Sequence, residues 1–140
     1  MKGSKTEIYL IRHGETDMNI KGVYYGWTDV GLSEKGVMQA EDLADILHDV
    51  QFDAVISSSL VRAVETASIV SGYDPDMIIR DDRLRELNFG EWEGIHHREL
   101  KEKHREALEK WGSDWKNTAP PGGETFFEIY IRVKSSIEDI

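Results

Sequence analysis

The sequence predicts an α/β domain built on a parallel sheet. Three observations predict it. Short apolar runs at Ile8–Ile11, Phe52–Ile56 and Met77–Ile79 are too short for helices and read as strands. Segments of helical period separate them, so strand and helix alternate along the chain. No linker is long enough to divide the 140 residues into two domains, so residues 1–140 read as one.

Ile8–Ile11 reads as a buried strand that ends at Arg12 and His13 and is bounded by Gly14. Residues 17–31 form a glycine-rich loop (Gly22, Gly26, Gly31) carrying Tyr24, Tyr25 and Trp27. Ser33 is a good N-cap, and Val37, Ala40, Ala44 and Leu47 then recur at helical spacing. After the second strand come Ser57, Ser58 and Ser59. A helix from about Leu60 follows, with Ala63, Ala67 and Val70 on one face, and it stops near Gly72. Leu84–Gly94 mixes apolar and polar residues with two glycines and predicts a structured loop. A charged helix with a Glu99–Lys103 pair spans Ile95–Trp111. Pro120-Pro121-Gly122-Gly123 breaks the chain, and Glu124 opens a last helix with Phe126, Tyr130, Val133 and Ile137 on one face.

Composition narrows the function. A formal net charge of −10 argues against a nucleic-acid partner, since phosphate backbones are bound by basic surfaces. No apolar run approaches the roughly 20 residues needed to span a bilayer, and the first residues lack the apolar stretch of a signal peptide. The absence of cysteine excludes disulfides, thiolate catalysis and thiolate metal sites, and fits a cytoplasmic protein. An acidic protein that binds a phosphorylated ligand must gather its few arginines locally.

Two arginines follow strand ends, Arg12 and Arg62. In an open parallel sheet ligands sit beyond the carboxyl ends of the strands, so both can face one site, with the 57–59 hydroxyls and Thr66 nearby. The plainer reading puts Arg62 on a solvated helix face, paired with Glu65 or Glu15. Arg12 beside His13 supplies fixed positive charge next to an imidazole aimed by a strand end. Glu86 lies between apolar residues, and partial desolvation would suit it to general-acid work. Glu91 and Glu93 share its loop, and composition does not choose among the three. His96, His97 and His104 do not have metal-ligand spacing, so a solvated helix is the better reading and no metal is expected. Trp92, Trp111 and Trp115 read as core or lid anchors.

Taken together these segments resemble the histidine phosphatase (phosphoglycerate mutase-like) superfamily. The matching pieces are Leu10-Ile11-Arg12-His13-Gly14-Glu15-Thr16 with Asn19, then Tyr25-Gly26-Trp27-Thr28-Asp29 leading to Leu32-Ser33-Glu34-Lys35-Gly36. Ser57–Ala67 around Arg62 and Leu84–Gly94 around Glu86 complete them. The resemblance implies a three-layer α/β/α sandwich with a mainly parallel sheet. It implies His13 as nucleophile, Arg12 and Arg62 as holders of the phosphoryl oxygens, and Asn19 as a further donor. Glu86 becomes the proton donor and then the activator of water, and Tyr25 and Gly26 fall at the substrate. The ligand implied is a small phosphorylated metabolite, with no cofactor, because the arginines supply the charge a metal would.

The short segment after Glu86 and the Pro-Pro-Gly-Gly-Glu run look like the small phosphatases of the family, those acting on α-ribazole-5′-phosphate in cobalamin assembly above all, rather than its mutases. A mutase and a phosphate-binding non-enzyme remain the alternatives. Nothing here matches the family's later Ser-His-Gly segment, so on this resemblance the domain is incomplete at its C-terminus and weakly active at best. The strand of that segment lies between those ending at His13 and Ser57. The two are therefore expected to close up, or another chain fills the gap in a homo-oligomer.

Overall fold

The computed structural model describes residues 5–140. The loop predicted after His13 begins with one short helix, α1 (Asp17–Lys21), which ends at Gly22 in the left-handed conformation (φ 65°). Thr16 and Asn19 cap it reciprocally, and Thr16 is fully buried. Ser33 caps α2 (Glu34–Ile46) as its sequence predicts, its hydroxyl accepting from the Gly36 N–H at 3.1 Å. Strand β1 (Ile56–Ser57) leads through Leu60 into α3 (Val61–Ser71), which stops at Gly72 (φ 74°). A short 3-10 turn at Pro75–Met77 precedes β2 (Ile79–Arg80). The two strands pair in parallel, Ile56 against Ile79 and Ser57 against Arg80, with α3 as the crossover.

The α/β class holds, with a smaller sheet than the apolar runs predict. Residues 8–11 form no strand among the described residues, and Leu10 is 83% exposed. The expected closing-up of this segment onto β1 does not occur. Its far end is fixed elsewhere: the Gly14 N–H donates to Thr66 at 3.1 Å and the Glu15 N–H to Gln39 at 2.9 Å. Gly14 lies so close to α2 that an added Cβ would collide with the Gly36 carbonyl, which explains the glycine. These anchors set where His13 sits, and the apolar residues before it gain no ladder.

The charged helix predicted for Ile95–Trp111 is two helices, α4 (His97–Lys103) and α5 (Arg105–Ser113), broken at His104. The predicted loop before it holds 3-10 turns at Asp82–Leu84 and Gly90–Trp92. The last helix, α6 (Phe126–Glu138), is capped by Thr125 and Glu128. Its apolar face is not the inward one: Phe126, Tyr130 and Ile137 are exposed and Ser136 is buried. Hydrogen bonds set that rotation. Arg132 donates to the carbonyls of Arg83 and Arg85, both at 2.7 Å, and of Glu86 at 2.9 Å, while Ser136 donates to Asp81 at 2.7 Å.

Two cores result. α2 packs on α3, and Ala40, Leu60, Val64, Val70 and Ile78 are buried. Trp92 and Leu100 are buried as well; Tyr24 and Trp111 pack on Trp92 in tilted and edge-to-face contacts, and Phe89 packs on both of them. Trp115 packs on Phe126, so the tryptophans are packing anchors as the sequence suggests. No described helix is long and apolar enough to cross a membrane.

Candidate active site

Arg12, His13, Asn19, Tyr25, Arg62 and Glu86 line one cavity of about 210 Å³, completed by Val23, Tyr24 and Phe89. A larger hollow of about 530 Å³ opens on the α2 side and shares Arg12, His13 and Asn19 with it. The imidazole therefore stands at the junction of the two.

The orientation of His13 follows from the carbonyl of the next residue. Nδ1 lies 2.7 Å from the Gly14 carbonyl oxygen. A carbonyl can only accept, so Nδ1 carries the proton and Nε2 keeps its lone pair. Burial pushes the His13 pKa below its ordinary 6.5, and the charges of Arg62 and Arg12 push the same way. The Gly14 hydrogen bond and the Glu86 charge oppose them and do not prevail. The ring is held neutral, with a free nitrogen.

Arg62 is 1% exposed, which rules out the solvated helix face. Neither predicted partner is its own. Glu65 accepts from the Leu32 N–H at 2.7 Å, and Glu15 accepts from Ser33 and pairs with Lys35. The Arg62 guanidinium instead donates to the carbonyls of Thr28 at 2.9 Å and Gly26 at 2.5 Å, above the Tyr25 ring at 4.8 Å. Arg12 and Arg62 form no ion pair with a carboxylate among the described residues. Two cations with no carboxylate directly against them, beside a neutral imidazole, favour a dianion such as a phosphomonoester.

Asn19 and Tyr25 support each other. The Asn19 side-chain oxygen accepts from the Thr16 N–H at 2.9 Å and the Tyr25 hydroxyl at 3.0 Å. Only its amide hydrogens are left for a ligand. Gly26 sits one step behind the cavity: its N–H goes to Glu93, its carbonyl to Arg62, and an added Cβ would collide with the Leu87 carbonyl.

The three carboxylates of the loop separate by position. Glu86 lines the cavity and is exposed, rather than partly desolvated as its apolar neighbours suggest. Glu91 is exposed and does not line the cavity. Glu93 is engaged by backbone N–H groups of residues 26, 27, 28 and 89. Burial alone would raise the Glu93 pKa, but the Thr28 hydroxyl and the Trp27, Gly26 and Thr28 N–H groups outweigh it and hold it below the ordinary value. A carboxylate so held is a poor proton donor, and of the three only Glu86 lines the cavity. The sequence offers Glu93 only as an alternative to Glu86 and not as an anchor, and it gives no sign of Arg132, whose bonds to the 83, 85 and 86 carbonyls fix the Glu86 backbone. His96 caps α4 and its ring lies 4.3 Å from that of His97 in a tilted contact, and no cluster suited to a metal exists among the described residues.

Comparison with known proteins identifies the family. The family described as histidine phosphatase superfamily (branch 1) matches residues 8–140. The adenosylcobalamin/α-ribazole phosphatase of Salmonella typhimurium is 41% identical over 132 residues, covering 93% of this chain and 64% of that protein. The crystal structure of the α-ribazole phosphatase from Shigella flexneri superposes with a TM-score of 0.84 at 39% identity, over 91% of this chain and 63% of that one. A mycobacterial glucosyl-3-phosphoglycerate phosphatase in complex with VO3 superposes at 0.79 with 32% identity, over 91% and 63%. The chain thus spans somewhat under two thirds of the length of these relatives.

Proposed function

The chain belongs to branch 1 of the histidine phosphatase superfamily, and from that premise we propose that it is a phosphomonoesterase working through a phosphohistidine on His13. The observation that carries the reading is the His13 tautomer, with Nδ1 on the Gly14 carbonyl, in a cavity that the ring shares with Arg12 and Arg62. In the first step the Nε2 lone pair attacks phosphorus, an N–P bond forms and the ester P–O bond breaks. Glu86 gives its proton to the departing alkoxide. In the second step Glu86 takes a proton from water, whose oxygen attacks phosphorus, and the N–P bond breaks to release phosphate. Arg12, Arg62 and the Asn19 amide would hold the three equatorial oxygens, where charge gathers. The arginines supply this charge without a metal.

The substrate we infer is a small phosphorylated metabolite, α-ribazole-5′-phosphate first, from the names of the relatives at 41% and 39% identity. Tyr24, Tyr25 and Phe89 give the cavity an apolar wall for an aromatic leaving group. A chain without cysteine fits the cytoplasm, where such metabolites are handled. The test is release of phosphate from α-ribazole-5′-phosphate by the purified chain. Free phosphate supports a phosphatase, transfer to a second hydroxyl a mutase, and binding without either a non-enzyme.

A further inference from the structure

The geometry points to Glu93 as the positioning residue of the anion site: it fixes the 26–28 turn, and the turn fixes the Arg62 guanidinium. This rests on the reading of Arg62 as a phosphoryl holder.

Each link is a hydrogen bond. One Glu93 oxygen accepts from the N–H groups of Gly26 and Trp27, both at 2.9 Å, and of Phe89 at 3.1 Å. The other accepts from the Thr28 N–H at 3.1 Å and its hydroxyl at 2.6 Å. Three consecutive N–H groups on one carboxylate pin the turn with its carbonyls facing away. Those of Gly26 and Thr28 are the two that accept from Arg62. Of the five guanidinium N–H groups, these bonds use two, which leaves three for a ligand. Burial sharpens the point. Arg62 has no carboxylate against it among the described residues, so its charge is aimed by peptide dipoles and compensated at one remove by Glu93. A direct ion pair would consume the charge the anion needs. Misplacement of such a group by about 1 Å costs on the order of 10²-fold in rate.

The test compares the whole chain with E93Q, which keeps the side chain's size but turns an NH2 group toward backbone donors. The Arg62 guanidinium is observed by proton–nitrogen NMR, assigned with R62K. Resolved, slowly rotating terminal NH2 signals are expected in the parent and averaged ones in E93Q. Unchanged signals in a folded E93Q overturn the assignment. Should E93Q not fold, T28V, which removes only the hydroxyl bond to Glu93, is expected to shift the same signals, and unchanged signals there overturn it equally. Titration with inorganic phosphate adds a cycle: E93Q weakens binding about tenfold in the parent background and not at all with R62K. Equal loss in both backgrounds contradicts the link. A parent that takes up no phosphate overturns the reading of Arg62 as a phosphoryl holder and with it the anion-site role of Glu93, whereas averaged Arg62 signals in E93Q, beside a parent that binds phosphate, support both.

Discussion

The Gly14 N–H and the Thr66 hydroxyl meet at 3.1 Å, and the same hydroxyl donates to the Arg62 carbonyl at 2.8 Å. One side chain on α3 thus joins Gly14, whose carbonyl holds the His13 tautomer, to the turn of helix that carries Arg62. Nucleophile and cation are placed by a common part.

Thr66→Val keeps the volume of that side chain and removes its hydroxyl. The buried Gly14 N–H then lacks a partner, which costs on the order of 1–3 kcal/mol. Urea unfolding is expected to register this loss, and Thr66→Ser to restore most of it. Equal stability of Thr66→Val and the parent would contradict the role.

Gly26→Ala places a methyl group against the Leu87 carbonyl and forces the 26–28 turn outward. Overpacking of this kind costs about 1–3 kcal/mol. Phosphate affinity is expected to fall with stability, because the turn carries both carbonyl acceptors of Arg62. A variant that is destabilised yet binds phosphate unchanged would separate the turn from the site.

The pH dependence follows from the lowered His13 pKa. Since His13 is nucleophilic only when neutral, phosphoryl capture is expected to persist below pH 6.5, the ordinary midpoint of an imidazole. Stability takes a definite sign as well. Between the lowered folded value and 6.5 the unfolded chain binds more protons than the folded one, so stability falls as pH drops through that window. His13→Asn is expected to remove this part of the slope, measured as the difference in unfolding free energy between variants across pH 5 to 7. An unchanged slope would refute the shift.

Glu86→Gln is expected to leave phosphate binding intact and to slow turnover about 10²-fold or more, since general acid–base help of that size is lost. Rapid-quench measurements of phosphate release check it. Loss of binding instead would make Glu86 a ligand holder.

Much of this arrangement was legible in the sequence, and the failures have a common cause. Ser33 and Gly72 mark helix ends through local chemistry, and α2 and α3 begin and stop where those residues say. The apolar run at residues 8–11 reads as a strand, but a strand needs a neighbour, and pairing is not a local property. The apolar face of α6 was readable and its direction was not, because Arg132 and Ser136 turn the helix through bonds to residues about 50 positions away. Within the site, Arg12, His13, Asn19, Tyr25, Arg62 and Glu86 were all readable from motif and resemblance, and one cavity gathers them. Glu93 was invisible as an anchor. Its partners at residues 26–28 are backbone N–H groups, which every residue but proline has, so no side-chain pattern announces them.

The most direct test is acid-labile capture. The chain is mixed with a 32P-labelled phosphomonoester, quenched in alkali and digested, and the labelled peptide is sequenced. Label is expected on the peptide containing His13, stable to base and lost in acid, and absent from His13→Ala. Label on any other residue, or capture undiminished in His13→Ala, would contradict it.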